Sequence, residues 1–262
     1  MERENWVRAV EERKPRVHCL TNPVTMQDVA NILLAAGGSA IMAQDPEEVE
    51  DITAICQATL LNTGVPDEEK IRACILAGKK ANELGHPVVL DPVGVGASHF
   101  RRKLLEELLK HVDVSLIRCN QEEACTLLHL QKSTDASGGV ESSVSVETTE
   151  QEEIARKLAD VYGCTAFITG KADVVSDGEQ TEVLLGGDDR IARITGSGCM
   201  LSALCALFCG AGLIPFEAAR AAGSIWKDSS REAGLCTDRS GGGIGSFHVY
   251  LFDALDRQCH GI

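Results

Sequence analysis

The sequence predicts an α/β fold with a mainly parallel central sheet flanked by helices on both faces. Short apolar segments alternate with longer segments of helical periodicity, and many of the apolar segments end in polar or glycine residues. Six segments of this kind are VHCL, SAIMA, ATLL, PVVL, VSLI and TAFI. The alternation is typical of parallel strands joined by crossover helices, and ligands bind such sheets beyond the carboxyl ends of the strands. The residues that follow these segments are therefore candidate site residues.

The composition limits the class of protein. The chain has 262 residues, 44% of them hydrophobic, which predicts one domain over residues 1–262 with a sizeable core. A formal net charge of −14 argues against binding to nucleic acid or to anionic membranes. The charged start and the lack of a long apolar run predict a cytoplasmic protein without a signal peptide. The eleven cysteines form no Cys-x-x-Cys pair, so we expect buried thiols and neither a zinc site nor a disulfide framework.

Helical periodicity and end signals place the helices. A segment rich in Ser, Thr, Gly and Glu, Gln131 to Thr149, predicts an exposed loop, and a glycine-rich turn over 239–247 precedes a last helix. The other helices are predicted near 3–14, 25–36, 47–57, 67–84, 101–111, 121–129, 150–162, 198–211 and 215–233.

The segment ITGSGCMLSA, residues 194–203, predicts an anion hole with a thiol inside it. Its apolar residues belong to a buried helix whose first turn carries unpaired backbone N–H groups, and such groups bind phosphate. The donors are those around Gly196, Ser197, Gly198 and Cys199. The helix terminus is expected to lower the pKa of the Cys199 thiol, which could then accept a proton during phosphoryl transfer. The alternative is a glycine turn followed by a core cysteine.

Other candidates follow the predicted strands. Asp91 precedes a flexible turn and could hold magnesium, or it caps that turn. Arg118 could neutralise a polyphosphate. Asn120 and Glu123 have capping-box spacing, although Glu123 could also reach metal-bound water. Thr169 supplies a hydroxyl at the same edge of the sheet.

The convergence of these residues predicts phosphoryl transfer from a nucleotide. Carboxylates, an arginine, hydroxyls and an anion hole from separate segments meet at one sheet edge, and these groups position and stabilise a migrating phosphoryl group. The Walker pattern and the dinucleotide Gly-x-Gly-x-x-Gly are both absent, which argues against P-loop and nicotinamide enzymes.

The sequence resembles the hydroxyethylthiazole kinases of the ribokinase-like superfamily nearly from end to end. The motifs, in order, are VHCLTNPVTMQDVANILLAAGGSAIMA, VVLDPVGVGAS, LIRCNQEE, FITGKADVV, ITGSGCMLSA and GIGSF. The resemblance implies a ribokinase-like three-layer sandwich. It also implies ATP-dependent phosphorylation of the hydroxyl of 4-methyl-5-(2-hydroxyethyl)thiazole, in thiamine biosynthesis or salvage, by a homotrimer with active sites at subunit interfaces.

The resemblance also implies roles for individual residues. Arg118 and Thr169 would bind ATP, and Cys199 would assist deprotonation of the substrate alcohol. Asp91 and Glu123 would organise Mg²⁺, Glu123 through water. The residues that would contact the thiazole are Met42, Gly196, Asn22, Val24 and Gly64.

One departure from the family pattern and two other functions stay open. Cys119 stands where the family commonly has glycine, and we expect its side chain to add bulk beside the nucleotide site. The first alternative function is the same chemistry on another alcohol, such as a pyrimidine or a vitamin precursor. The second is a ligand-sensing protein that binds a thiazole or a nucleotide with little catalysis.

Overall fold

The structure, a computed structural model, describes residues 2–134 and 148–260. It contains eight strands, and the first six coincide with the six apolar segments. They are β1 (Arg16–Leu20), β2 (Ser39–Ile41), β3 (Ala58–Asn62), β4 (Val88–Asp91), β5 (Leu116–Asn120), β6 (Thr165–Thr169), β7 (Asp173–Ser176) and β8 (Thr181–Leu184). They form one sheet in the order β2-β1-β3-β4-β5-β6-β7-β8, in which β1 to β6 are parallel and β7 pairs antiparallel with both β6 and β8. The predicted mainly parallel sheet is confirmed.

The helices connect and cover these strands. They are α1 (Glu2–Arg13), α2 (Met26–Ala35), α3 (Val49–Ala54), α4 (Glu68–Leu84), α5 (His99–Leu109), α6 (Gln121–Thr134), α7 (Thr148–Tyr162), α8 (Ser197–Gly210), α9 (Pro215–Ser240) and α10 (Ile244–His260). Two short 3₁₀ helices lie at Val95–Ala97 and Asp189–Arg193.

Helices pack on both faces of the sheet, as the sequence predicts. On one face, α8 packs between the sheet and α9, with Leu204 and Phe208 buried in a core that includes Phe167. On the other face, α4 to α7 enclose a second core that includes Leu90 and Ile168. Every residue from Cys199 to Gly210 is buried, so α8 is the central helix of its layer. Its amino end therefore meets the carboxyl ends of the strands.

The ends of several helices differ from the predictions, and one of these helices is α10, which begins at Ile244, inside the turn predicted over 239–247. Helix α6 reaches Thr134 and α7 begins at Thr148, so the predicted loop from Gln131 to Thr149 is wrong at both ends; its middle, 135–147, lies outside the described residues. The residues from Leu130 to Thr134 include neither Gly nor Pro, and nothing local stops the helix at 129. Helix α9 continues to Ser240, where Gly241 ends it with a φ of +64°.

The edge hairpin β7–β8 is absent from the predictions because its strands are short and β8 is polar in part. All eleven cysteines are free, and nine of them are buried, which agrees with the expectation of buried thiols. Among the described residues, no helix is both long enough and apolar enough to cross a membrane.

Candidate active site

The candidate site lies at the carboxyl edge of the parallel strands, where β3 to β6 meet the start of α8. Strand register places Asn62 beside Asp91 and Asn120 beside Thr169. These four residues and Arg118 each end or nearly end their strand. The structure therefore brings the predicted candidates Asp91, Arg118, Asn120 and Thr169 to one edge, together with Asn62.

Glycines at the amino end of α8 let neighbouring side chains approach its backbone closely. Gly196 has a φ of +81°, and a Cβ there would lie 2.5 Å from Thr25 Cγ2. The Ser197 amide donates to the Ile194 carbonyl at 3.3 Å, while the Gly198 and Cys199 amides have no backbone acceptor in the described chain. A Cβ on Gly198 would lie 2.2 Å from Arg118 Nη1, so only glycine lets the guanidinium rest on this helix end. Two such amides and a guanidinium together are able to hold an anion.

Asp91 is fully buried, and its two oxygens differ. Oδ2 accepts hydrogen bonds from Asn62 Nδ2 at 2.8 Å and from Ser202 Oγ at 3.0 Å. Oδ1 has no hydrogen-bond partner and lies 4.0 Å from Arg118 Nη1. Burial raises the pKa of Asp91 to about 6, against the opposing effect of the Arg118 charge. A carboxylate oxygen without a partner at this depth is available to a cation or to a substrate.

The donor set fits a magnesium ion bound largely by phosphates and water. Among the described residues, no group of three or more His, Cys, Asp or Glu could hold a metal by itself. Magnesium typically takes one or two carboxylates together with substrate phosphates and several waters. The free Asp91 Oδ1 beside the anion site meets that requirement.

Glu123 adopts the capping box that its spacing predicts. Its Oε2 accepts from the Asn120 amide at 2.9 Å, and its own amide donates to Asn120 Oδ1 at 2.8 Å. Its Oε1 accepts from the Gly94 amide at 2.8 Å, which ties the turn after β4 to α6. Each oxygen keeps a second lone pair, so Glu123 fits a role through water better than direct coordination.

Arg118 and Thr169 line a cavity of about 590 Å³ that begins at the start of α8. Arg118 Nη2 donates to Thr169 Oγ1, whose hydroxyl donates to the Cys119 carbonyl at 3.3 Å. The cavity extends to the 186–192 segment and to Trp226, and its volume lies in the range of small-molecule sites.

A buried ion pair on the cavity wall was not singled out in the sequence. Lys227 Nζ lies 3.1 Å from Asp173 Oδ2 and 3.3 Å from the Gly186 carbonyl. Asp173 Oδ1 accepts from the Gly170 amide at 3.0 Å. The pair therefore joins the turn after β6 to the 186–192 segment across the cavity. Its members lie far apart in the chain, and no local pattern connects them.

The Cys199 thiol lies against two asparagines. Sγ is 3.2 Å from Asn62 Nδ2 and 3.5 Å from Asn22 Nδ2. Burial, followed by the charge of Asp91, raises the pKa of this thiol. The predicted lowering of its pKa is wrong, because desolvation and a nearby carboxylate outweigh the helix terminus. Cys199 is therefore a neutral thiol at neutral pH.

The expected thiazole contacts fall into two groups. Asn22 and Gly64 join the cluster, since Asn62 Oδ1 accepts from Asn22 Nδ2 at 3.1 Å and from the Gly64 amide at 2.9 Å. Val24 and Met42 lie further out: the Val24 side chain is 66% exposed, and Met42 is half-buried just after the edge strand β2.

Lys70, which was not expected here, donates to the Gly64 carbonyl at 2.6 Å. Burial lowers its pKa. The contact fixes the backbone of the loop that carries Gly64.

Cys119 does not line the cavity that Arg118 lines. Successive side chains of β5 point to opposite faces, so Arg118 faces α8 while Cys119 is buried in the core on the other face. The expectation of bulk beside the nucleotide site is wrong for that reason.

Comparison with known proteins places this site in a family. The sequence model of the hydroxyethylthiazole kinase family matches residues 7–260. A hydroxyethylthiazole kinase of Clostridium beijerinckii is 43% identical over 94% of this chain and 88% of its own length. One from Alkaliphilus oremlandii is 42% identical over 94% and 89%.

Solved structures agree with the sequence relatives. The hydroxyethylthiazole kinase protein of Pyrococcus horikoshii superposes with a TM-score of 0.85 at 34% identity, over 97% of this chain and 92% of that one. A Bacillus subtilis pyridoxal kinase solved as an ADP complex has a TM-score of 0.61 at 19% identity, over 83% and 92%, which shows a shared fold. The match over nearly the whole chain, joined to the site described above, shows that this chain belongs to the hydroxyethylthiazole kinase family.

Proposed function

We propose that this chain transfers the γ-phosphoryl group of ATP to the hydroxyl of 4-methyl-5-(2-hydroxyethyl)thiazole, giving the phosphate ester and ADP in thiamine biosynthesis or salvage. The observation that carries the proposal is that Asp91 lies beside Arg118 and Cys199 follows Gly198, and that Arg118 and Gly198 line a cavity of nucleotide size in a chain of this family. Those groups bind phosphate and act on an alcohol, which are the two requirements of the reaction.

ATP lies in the cavity with its phosphates at the start of α8. The Gly198 and Cys199 amides and the Arg118 guanidinium face the migrating phosphoryl group, and Thr169 orients the guanidinium. The nucleoside extends towards the 186–192 segment and Trp226. Positioning and fixed positive charge then supply most of the rate enhancement.

Asp91 would hold Mg²⁺ with the unpartnered Oδ1, and Glu123 would contribute through water. When bound, the ion neutralises charge on the phosphates and helps to align them. The buried Ser202 and Asn62 donors keep Asp91 Oδ2 occupied, so the other oxygen faces the ligand.

Cys199 takes the proton of the substrate hydroxyl. Its thiolate form accepts the proton as the oxygen attacks phosphorus, and N–H donors from Asn62 and Asn22 stabilise the anionic sulfur. Because the pKa of the thiol is raised, this form is scarce at neutral pH, and the rate should increase as the pH increases.

The thiazole end of the site lies beside Asn22, Gly64 and Gly196, with Met42 and Val24 at its periphery. Val24 and Val65 expose 66% and 50% of their surface there. Apolar side chains exposed beside a site support a homotrimer in which a neighbouring subunit completes it. We place the reaction in the cytoplasm.

The test is to incubate the protein with magnesium, ATP and hydroxyethylthiazole and to identify the product by mass spectrometry. The thiazole phosphate ester should form with the wild type and not with Asp91→Asn. Faster ADP release with a pyrimidine alcohol would replace the proposed substrate. Calorimetric binding of the thiazole without any ester would favour a sensor.

A further inference from the structure

Asn62 lies at the centre of the polar cluster and uses all of its hydrogen-bonding capacity. The residue is fully buried at the end of β3. Its Nδ2 donates to Asp91 Oδ2 at 2.8 Å and to Cys199 Sγ at 3.2 Å. Its Oδ1 accepts from the Gly64 amide at 2.9 Å and from Asn22 Nδ2 at 3.1 Å. Among the described residues, no other side chain donates a hydrogen bond to both the Asp91 carboxylate and the Cys199 thiol.

We infer that Asn62 is a positioning residue for phosphoryl transfer, because its carboxamide links the Asp91 carboxylate, the Cys199 thiol and the loop at the thiazole end. The inference rests on the function and the roles of Asp91 and Cys199 proposed above. In this role Asn62 acts through Asp91, Cys199 and the Gly64 loop and not by contact with ATP or the alcohol.

The first link determines which carboxylate oxygen is free. Asn62 and Ser202 both donate to Asp91 Oδ2, so rotation of the carboxylate would break two hydrogen bonds. Oδ1 is left without a partner, on the side of Arg118. Because Asn62 and Asp91 are register partners on neighbouring strands, the sheet itself fixes this link.

The second link places the thiol. The two hydrogens of the Asn62 amide serve two acceptors, one on Asp91 and one on Cys199. A flipped amide would turn its oxygen towards the carboxylate and its hydrogens towards the Gly64 amide and Asn22 Nδ2, both of which are donors. Only the observed orientation satisfies all four neighbours, so the sulfur and the carboxylate keep a fixed separation.

The chain offers a matched asparagine that has only a structural role. Asn82 also bridges two segments through its carboxamide, donating to the Asp113 carbonyl at 2.8 Å and accepting from the Asp113 amide at 2.9 Å. It is half-buried near the end of α4, away from the site. Asn82→Ala therefore controls for the loss of a bridging amide.

The experiment compares Asn62→Ala, Asn62→Asp and Asn82→Ala in steady-state assays with magnesium, ATP and hydroxyethylthiazole. Asn62→Asp keeps the volume and the acceptor oxygen and replaces only the NH₂ group. We expect kcat to fall about 100-fold in both Asn62 variants, since displacement of reacting groups by about 1 Å has effects of that size. The KM for ATP should change by less than about threefold, because Arg118 and the α8 amides are retained. Asn82→Ala should match the wild type.

A double-mutant cycle with Cys199→Ala tests the link to the thiol. If Asn62 acts in part through the sulfur, Asn62→Ala should lower kcat by less than about tenfold in the Cys199→Ala background. The concentration of magnesium needed for half-maximal rate should increase in Asn62→Ala and in Ser202→Ala, because both lose a donor to Asp91.

Several outcomes would overturn the inference. They are a kcat within about threefold of the wild type, equal fold-losses in both Cys199 backgrounds, a KM for ATP that increases in step with the loss, or failure of both Asn62 variants to fold at 25 °C. A wild type that makes no ester refutes the proposed function, whereas an active wild type with an unaffected Asn62→Ala refutes only the role of Asn62.

Discussion

Replacement of Asp91 by asparagine should stabilise the fold while abolishing turnover. Asp91 is fully buried, and burial raises its pKa from a usual 3.8 to about 6. A carboxyl group whose pKa is higher in the folded state than in the unfolded state favours folding when protonated, and it loses that contribution as the pH increases from about 4 to 6. At neutral pH the wild type therefore carries a buried charge that Arg118, Asn62 and Ser202 compensate only in part, and Asp91→Asn removes it.

The magnitude follows from the two pKa values. At about 1.4 kcal/mol for each pH unit, a pKa raised from 3.8 to about 6 costs about 3 kcal/mol at pH 8 and about 1.6 kcal/mol at pH 5. The advantage of Asp91→Asn should therefore be about 1.4 kcal/mol larger at pH 8 than at pH 5. The difference between the two pH values cancels any effect of the new amide that does not depend on pH.

The assay is urea denaturation of both proteins at pH 5 and at pH 8, at equal protein concentration and without magnesium or ATP. The free energy of unfolding of the wild type should fall relative to that of the variant as the pH increases. Equal pH dependence in the two proteins would refute the raised pKa and, with it, the view that the site keeps Asp91 charged at the expense of stability.

Three further predictions concern the thiol, the cavity wall and the start of α8. Cys199→Ala should lower kcat by roughly 100- to 10,000-fold and remove the increase in kcat with pH, whereas a loss within about threefold would exclude it as proton acceptor. In steady-state assays, Lys227→Met should raise the KM for ATP about tenfold and leave the KM for the thiazole unchanged. The substitution removes the ion pair with Asp173 on the wall of the proposed nucleotide cavity. Equal changes in both KM values would contradict this prediction. Gly196→Ala should destabilise the protein by about 1 to 3 kcal/mol in chemical denaturation, because Gly196 has a positive φ and an added Cβ would approach Thr25 too closely. The control Gly243→Ala should leave stability unchanged, because the space around Gly243 is open. Equal stabilities of the two variants would refute the steric argument.

The six parallel strands and the sheet edge at which the site forms can be predicted from the sequence. Each strand is an apolar run that ends in a polar or glycine residue, and the rule that ligands bind at the carboxyl ends of parallel strands brings Asp91, Arg118 and Thr169 together. Cys199 could be placed for a similar reason, because the glycines before it mark a helix start.

What the sequence could not supply depends on packing. Asn62 ends β3, and three of its four hydrogen-bond partners, Asn22, Asp91 and Cys199, come from segments far away in the sequence. The raised pKa of Cys199 depends on how deeply the fold buries it, which the helix terminus alone does not reveal. The opposite orientations of Cys119 and Arg118, by contrast, follow from the period of two residues in a strand and can be predicted from the sequence.

The central claim is that one pocket holds the ATP phosphates and the thiazole hydroxyl between Arg118, Asp91 and Cys199. The most direct measurement is a crystal structure of the protein with magnesium, a non-hydrolysable ATP analogue and hydroxyethylthiazole. The γ-phosphate should lie against the Gly198 and Cys199 amides, with the substrate hydroxyl within hydrogen-bond reach of Cys199 Sγ. A nucleotide bound elsewhere, or a hydroxyl directed away from that sulfur, would contradict the account.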